Sequence, residues 1–367
     1  MNVLMTAEAV GGIFPYAIEL AGALARRGAG VALAARGGFL SRDQWEEARA
    51  VPGLEVFESH GRLEWMEDPW EDVARDGEWL LQLERRLRPD VVHLNDFAHG
   101  ALPFAAPKLV VAHSCVFSWF EAVRREPPPP SFDRYRRAVA AGLAGADLVV
   151  APTRFMLDAL ARHYVAPARG RVIPNGRSPR RFRPGPKEPM ILCAGRIWDA
   201  AHDAAALDRV AGRLSWPVVL ACEEEHPAPA RRGRAAPRRA RLLGGLTPGA
   251  LACLLARAAI YALPARYAPS GLSALEAALA GCALVLGDAP GLREIWDGAA
   301  AFVDPDSTEG LRATLAGLVE RDGLRGELAA RARSRALLLG PERMADAYLE
   351  AYGEIAGARA ARAGASP

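Results

Sequence analysis

The stretch that decides the fold runs from Ala262 to Pro305 and reads ALPARYAPSGLSALEAALAGCALVLGDAPGLREIWDGAAAFVDP. An apolar strand that ends at Leu263 enters a loop rich in proline and glycine, and an alanine- and leucine-rich helix follows. Ser273 is predicted to be the N-cap of this helix, which places Glu276 in its first turn. A second buried strand, Ala283 to Leu286, comes next. This order predicts one unit of a parallel sheet, whose ligands gather at the carboxyl ends of the strands.

A carboxylate in the first turn of a helix has two interpretations. Glu276 complements the dipole of its own helix, an interaction worth about 0.3 kcal/mol, or it accepts hydrogen bonds from a vicinal diol such as a ribose. The surrounding phrase favours the diol. It resembles the nucleotide-binding signature of retaining GT-B glycosyltransferases, in particular the large family 4-like group that includes sucrose synthases and bacterial mannosyltransferases. In that signature a Glu precedes Pro-Phe-Gly-Leu, and a second Glu follows eight positions after the first.

The matching positions in this chain are Pro269, Gly271, Leu272 and Glu276. Two positions depart from the signature, because Ala268 stands where the family has its first Glu and Ser270 where it has the aromatic residue. By the resemblance, the Ala268 position lies near the transferred sugar. The Glu276 carboxylate is implied to bind the ribose of the donor, with Ser270, Gly271 and Leu272 beside it.

Length and composition are those of a globular protein of two domains. The chain has 367 residues, of which 51% are hydrophobic and 24% charged. The formal net charge is +3, and no long basic tract with interleaved aromatic residues accompanies it. We therefore expect no nucleic-acid partner. The arginine-rich stretch from Arg231 to Arg241 is interpreted as a solvated loop.

Five cysteines lie singly in apolar surroundings, and none forms a pair at metal-ligand spacing. They are interpreted as reduced core residues, which predicts a cytoplasmic protein. No apolar run reaches the length of a transmembrane helix. Trp65, Trp70 and Trp79 stand in an acidic region, and we expect them to pack a long segment onto the core rather than to stack on sugars.

Strands alternate with helical segments along both halves of the chain, which predicts an α/β protein with doubly wound sheets. The resemblance implies a GT-B fold, in which two Rossmann-like domains face a central cleft. We expect an N-terminal acceptor domain over residues 1–175 and a C-terminal donor domain over residues 176–340. A last helix, at about 341–363, is expected to pack back on the first domain.

Further site residues are assigned by the resemblance. Gly11 and Gly12 match a glycine pair that faces the diphosphate of the donor, and His113 matches a histidine that contacts the transferred sugar. Arg196 matches one of two cations that hold the diphosphate. The second cation is a lysine in the family, and His202 stands at its position.

The resemblance implies transfer of a sugar from a nucleoside diphosphate sugar with retention of configuration, without a metal or a further cofactor. The sequence does not distinguish UDP, GDP or ADP as the nucleotide. It does not identify the acceptor, which is a saccharide, a lipid-linked molecule or a small molecule. Ala268 and His202 imply reduced activity. The alternatives are a non-catalytic nucleotide-sugar-binding relative, acting as a sensor or as a subunit of a larger transferase, and a nucleotide-sugar epimerase.

Overall fold

The structure is a computed structural model that describes residues 1–196, 198–223 and 237–364. The chain divides into two compact units. The first unit comprises Met1–Phe120, Glu126–Gly176 and the chain from Pro341 onward, and the second comprises Glu121–Arg125 and Arg177–Gly340.

Each unit contains one parallel sheet. The strands of the first unit are β1 (Asn2–Glu8), β2 (Gly30–Arg36), β3 (Glu55–Glu58), β4 (Val91–Leu94), β5 (Lys108–Val111), β6 (Leu148–Ala151) and β7 (Gly170–Val172). Those of the second are β8 (Glu188–Arg196), β9 (Val218–Glu223), β10 (Arg241–Leu242), β11 (Ala258–Leu263), β12 (Ala283–Gly287) and β13 (Ala301–Val303). The spatial orders are β3-β2-β1-β4-β5-β6-β7 and β10-β9-β8-β11-β12-β13, with every paired strand parallel.

Both orders start near the middle of the sheet and continue outward on one side before crossing to the other, which is the doubly wound arrangement. The connecting helices are α1 (Ile13–Ala25), α2 (Arg42–Arg49), α3 (Trp70–Leu87), α4 (Val116–Trp119), α5 (Asp133–Gly145), α6 (Arg154–His163), α7 (Ala204–Ala211), α8 (Pro248–Arg257), α9 (Leu272–Leu279), α10 (Pro290–Trp296), α11 (Thr308–Glu320), α12 (Asp322–Ala336) and α13 (Pro341–Gly364). Short 3-10 turns cover Ala98–Ala101 and Pro130–Phe132.

Both faces of each sheet are covered, because successive strand residues enter different apolar clusters. In β1, Val3 and Met5 belong to a cluster with α1 and α13, whereas Leu4 belongs to a cluster with α3 and α5. In β8, Leu192 and Cys193 separate in the same way. The predicted α/β fold class with two Rossmann-like sheets is therefore confirmed.

The last helix, α13, belongs to the first unit, where it packs against α1. The buried hydroxyl of Tyr16 on α1 lies 2.6 Å from that of Tyr348 on α13. At the surface Arg26 Nη2 lies 2.7 Å from Glu342 Oε1. Apolar and polar contacts thus both attach α13 to α1.

Three local predictions meet the structure with different outcomes. Trp65, Trp70 and Trp79 are partly buried against the cluster on the α3 and α5 face, as expected. The prediction that all cysteines are core residues is wrong for Cys253, which is exposed on α8, although the other four are buried. Most of the arginine-rich stretch, residues 231–236, lies outside the described residues.

Candidate functional site

The loop that follows β11 is held against the next strand by close backbone packing. A Cβ on Gly287, at the end of β12, would lie 2.1 Å from the carbonyl oxygen of Ala265, so only glycine allows this approach. Ala268 is 8% exposed and belongs to the apolar cluster on this face of the sheet. The position at which the family carries its first Glu is therefore occupied by a methyl group in the core.

The N-cap of helix α9 lies two positions before the one that the sequence predicts. Its N-cap is Gly271, with φ of 54° in the left-handed region, and α9 starts at Leu272. The predicted N-cap, Ser273, is the second helical residue, and Glu276 is the fifth rather than a residue of the first turn. Both predictions are wrong because the left-handed glycine starts the helix without a side-chain cap. Gly271 is buried, and its neighbours Ser270 and Leu272 are partly exposed.

Glu276 forms an ion pair with an arginine that the sequence analysis did not single out. Nη2 of Arg177 lies 2.7 Å from Oε1 of Glu276, and their side chains are 3% and 11% exposed. The Arg177 guanidinium also lies 5.1 Å from the ring centre of Phe182. Because a buried carboxylate needs a partner, Arg177 makes it possible to keep this carboxylate in the fold. The only local signal was an arginine directly after Asn175-Gly176.

Arg196 is the last residue of β8 and lies at the carboxyl edge of the second sheet, the edge at which α9 begins. Its guanidinium stands 4.8 Å from the ring centre of Trp198, and Nη2 donates to Oδ2 of Asp199 at 3.1 Å. The Arg196 side chain is 29% exposed, so its positive charge is partly open to a ligand. The ring and the carboxylate restrict the orientation of the guanidinium.

His202 lies on the connection after Arg196. Burial lowers the pKa of His202, and the raising effect of the nearby Asp199 does not overcome it. Its Nδ1 is buried and has no hydrogen-bond partner among the described residues. At neutral pH this imidazole is uncharged, so it does not supply the second cation that a lysine would supply. The backbone N–H of Arg266 donates to Ala201 O at 2.8 Å, which brings this connection beside the loop after β11.

The first unit presents its own predicted residues at the carboxyl edge of its sheet. Gly11 has φ of 84°, and the exposed Gly12 is the N-cap of α1. The half-buried His113 follows β5, and its ring stands 4.6 Å from that of Tyr16 on α1. Burial lowers the pKa of His113 to about 3, so the imidazole is neutral at physiological pH. Its Nε2 lies 2.8 Å from Oδ1 of Asn95, a second residue that the sequence analysis missed. The signal that marks Asn95 is a polar residue directly after the buried strand β4.

A group of buried charges supports the turn after β4. Nη2 of Arg36 lies 2.7 Å from Oδ2 of Asp96, and Nδ1 of His99 lies 2.6 Å from Oδ1 of the same carboxylate. Burial opposes ionisation of Asp96, but Arg36 and His99 outweigh it and hold its pKa well below the usual range. Burial, together with the charge of Asp96, raises the pKa of Glu64 to about 7, although the backbone N–H groups of Phe97 and Ala98 donate to the Glu64 carboxyl at 3.1 and 2.7 Å. These contacts hold the turn that carries Asn95.

No helix in the described part of the chain is long and apolar enough to cross a membrane. Within residues 1–196, 198–223 and 237–364, no group of His, Cys, Asp and Glu side chains has the geometry of a metal site.

Comparisons with known proteins agree with this architecture. The model for Glycosyltransferase Family 4 matches residues 10–181, and the model for Glycosyl transferases group 1 matches residues 188–321. A comparison of the sequence with curated proteins finds no match.

Among solved structures, the chain is similar to sucrose-phosphate synthase from Thermosynechococcus elongatus, with 19% identity, a TM-score of 0.79, and coverage of 98% of this chain and 100% of that one. It is also similar to Alr3699/HepE of Anabaena in complex with UDP-glucose, with 17% identity, a TM-score of 0.73, and coverage of 96% and 100%. WaaG, a glycosyltransferase involved in lipopolysaccharide biosynthesis, matches with 17% identity, a TM-score of 0.69, and coverage of 94% and 99%.

Each of the two Rossmann-like sheets lies largely in a part of the chain that matches a glycosyltransferase family model, which defines the class as a GT-B glycosyltransferase. The chain belongs to the family 4-like group of these enzymes.

Proposed function

We propose that the protein transfers a sugar from a nucleoside diphosphate sugar to an acceptor, with retention of configuration and without a bound metal. The observation that carries the proposal is the position of the Glu276 carboxylate. Glu276 lies on α9, which begins at the carboxyl edge of the second sheet, and its Oε1 is 2.7 Å from Nη2 of Arg177. A carboxylate fixed in this way suits the two hydroxyls of a ribose, because both can donate to its oxygens.

The diphosphate is assigned to Arg196, whose partly exposed guanidinium would bind phosphate oxygens as they gain negative charge. In the first unit, Gly11 and Gly12 stand directly before α1, and the start of a helix favours an anionic group. His113 is assigned to the sugar.

The proposed location is the cytoplasm, and we infer no nucleic-acid partner.

The reaction needs few groups from the protein. In the scheme implied by the family, the leaving phosphate oxygen takes the proton of the acceptor hydroxyl. The protein positions the reactants and stabilises the negative charge that develops on the diphosphate. Ala268 and the neutral His202 lack the two charges that the family's Glu and Lys would supply to this process, which supports a reduced rate.

A non-catalytic role as a nucleotide-sugar sensor or as a subunit is the second candidate. The observation in its favour is that Ala268 packs in an apolar cluster while His202 is uncharged at neutral pH. Such a site would bind the donor through Glu276 and Arg196 and leave the glycosidic bond intact.

One assay separates these functions. The protein is incubated with UDP-, GDP- and ADP-linked glucose and mannose, with and without a panel of acceptors, in buffer with and without EDTA. We expect slow release of one nucleotide, faster with an acceptor and insensitive to EDTA, and a product whose anomeric configuration by proton NMR equals that of the donor. Inverted product would contradict retention. Binding without release identifies the non-catalytic candidate, and isomerised donor without released nucleotide identifies an epimerase.

A further inference from the structure

The side chain of Asn95 stands between two histidines. Its Oδ1 lies 2.8 Å from Nε2 of His113 and 3.2 Å from Nε2 of His93. His93 is fully buried on β4, whereas His113 is half-buried after β5. A single amide oxygen is therefore the shared partner of both rings.

The orientation of this amide follows from its other contact. Nδ2 of Asn95 lies 2.5 Å from the carbonyl oxygen of Thr6 on β1. A carbonyl oxygen only accepts hydrogen bonds, so the NH2 group of the amide must face Thr6. The Asn95 backbone N–H also donates to Thr6 Oγ1 at 2.8 Å, and the Thr6 hydroxyl donates to Asp96 Oδ2 at 3.1 Å. Oδ1 accordingly faces the two histidines as an acceptor.

The amide orientation determines the tautomers of both rings. Burial lowers the pKa values of His93 and His113 to about 3, so each ring carries one proton at neutral pH. Because Oδ1 accepts, that proton is on Nε2 in both rings. Nδ1 of His93 then accepts from the hydroxyl of Tyr352, which lies 2.6 Å away. Nδ1 of His113 carries no proton and makes no hydrogen bond to the described residues.

We infer that Asn95 is a positioning residue that fixes His113 in the Nε2–H tautomer, so that Nδ1 of His113 is an acceptor for a hydroxyl group of a ligand. The inference rests on the proposed function, because it takes that hydroxyl to belong to the sugar. His113 contributes neither a charge nor a donated hydrogen at Nδ1. It therefore selects a hydroxyl and disfavours a phosphate or carboxylate oxygen at the same place, since two acceptors cannot form a hydrogen bond.

The tautomers are measured without any ligand. Long-range ¹H–¹⁵N correlation spectra of the full-length protein identify the protonated nitrogen of each ring, and His93→Gln and His113→Gln assign the signals. We expect Nε2–H for both rings, unchanged from pH 5 to 8. An Nδ1–H signal for His113, or an imidazolium in this range, would overturn the inference.

Two variants test the role of the amide. In Asn95→Ala the acceptor is absent, so we expect an Nδ1–H population of His113 to appear. In Asn95→Asp an acceptor remains and a negative charge is added, so we expect Nε2–H to persist while the pKa of His113 rises. Tyr352→Phe is the matched control, because it removes the donor to His93 and leaves the contact between Asn95 and His113. A His113 spectrum that is the same in wild type, Asn95→Ala and Asn95→Asp would refute the role of Asn95.

A ligand experiment tests the second half of the inference separately. Donor sugars that lack one hydroxyl are compared with the complete donor for wild type and His113→Ala. For wild type, we expect one deoxy analogue to bind about 10-fold more weakly than the complete donor, which is the loss expected for one hydrogen bond. For His113→Ala, we expect that analogue and the complete donor to bind equally. If no nucleotide sugar binds, the proposed function fails while the tautomer result stands. If the complete donor binds and no hydroxyl depends on His113, the inference about the ligand fails alone.

Discussion

Arg177 and Glu276 form a nearly buried ion pair, with Nη2 and Oε1 2.7 Å apart. The two residues come from different parts of the second unit, one directly after the Asn175-Gly176 turn and the other within α9. Neither charge is well placed in the fold without the other, because an unpaired ion in such a position is strongly unfavourable. The carboxylate proposed to bind ribose is thus held by a residue outside the loop and helix that carry the family signature.

The first prediction concerns this pair. Arg177→Met leaves the Glu276 carboxylate without its partner, and we expect the free energy of unfolding in urea to fall by about 3–5 kcal/mol. The double variant Arg177→Met with Glu276→Gln removes the charge as well, so it should recover part of that loss. A double variant less stable than Arg177→Met would show that the pair does not couple the two residues.

The second prediction concerns the diphosphate. Arg196→Ala removes a charged donor, so we expect binding of the preferred nucleoside diphosphate to weaken by about 1.5–3 kcal/mol while binding of the nucleoside is unchanged. Isothermal titration calorimetry with both ligands measures the difference. Arg257→Ala is the matched control, since Arg257 pairs with Glu188 elsewhere on the second unit. Equal losses for nucleotide and nucleoside would place Arg196 away from the phosphates.

The third prediction restores the two departures from the family. Ala268→Glu with His202→Lys returns a carboxylate and a cation, whose interactions matter most as the glycosidic bond breaks. We therefore expect kcat for donor turnover to rise by about 10-fold or more, with a smaller effect on donor affinity. Ala268 is buried in apolar surroundings, so the Glu should also lower the unfolding free energy by about 1–3 kcal/mol.

Rates in that experiment are compared per mole of folded protein. If both groups act on one transition state, the increases in kcat from the two single changes should not account for the whole increase in the double variant. Rapid transfer by the unmodified protein would contradict the proposal that Ala268 and His202 reduce activity. A folded, nucleotide-binding double variant without turnover would favour the non-catalytic candidate.

The fourth prediction uses the pKa of Glu64. Its folded-state pKa of about 7 lies above the value of the unfolded chain, so the folded protein binds more protons between about pH 4.5 and 7. Glu64 therefore contributes stability that is present at low pH and is lost as the pH rises through this range. Glu64→Gln removes that contribution, and the unfolding free energy should rise more steeply with pH than in wild type, by at most about 1.4 kcal/mol per pH unit.

Urea unfolding at several pH values from 4.5 to 7 measures the two slopes. His93 and His113 act in the opposite direction, because their folded pKa values of about 3 lie below that of an unfolded histidine and acid therefore favours unfolding. Both remain in Glu64→Gln, so they cancel in the comparison. Glu67→Gln, an exposed change nearby, is the control. Parallel slopes for wild type and Glu64→Gln would contradict the raised pKa.

The local order of residues predicted the two sheets and the main secondary-structure elements. Apolar strands that alternate with helices are short-range signals. Thr153 shows how local such signals are, because its side chain accepts a hydrogen bond from the backbone N–H of Met156 and caps the start of α6. The same reasoning was wrong at Ser273. A serine and a nearby glycine both mark a helix start, and only the packed backbone showed that Gly271, in the left-handed region, is the N-cap.

The sequence by itself determined the fold class, because the alternation of strands and helices is a local signal. The resemblance of its motifs to a known family pointed to Glu276, Arg196 and His113 as site residues. Only the tertiary structure decided the states of these groups. Arg177 reaches Glu276 from about a hundred positions away in the chain, and Asn95 lies between His93 and a ring from the neighbouring strand. Burial then keeps His113 and His202 neutral. Charge and tautomer depend on desolvation and on partners distant in sequence, and neither is encoded in a local motif.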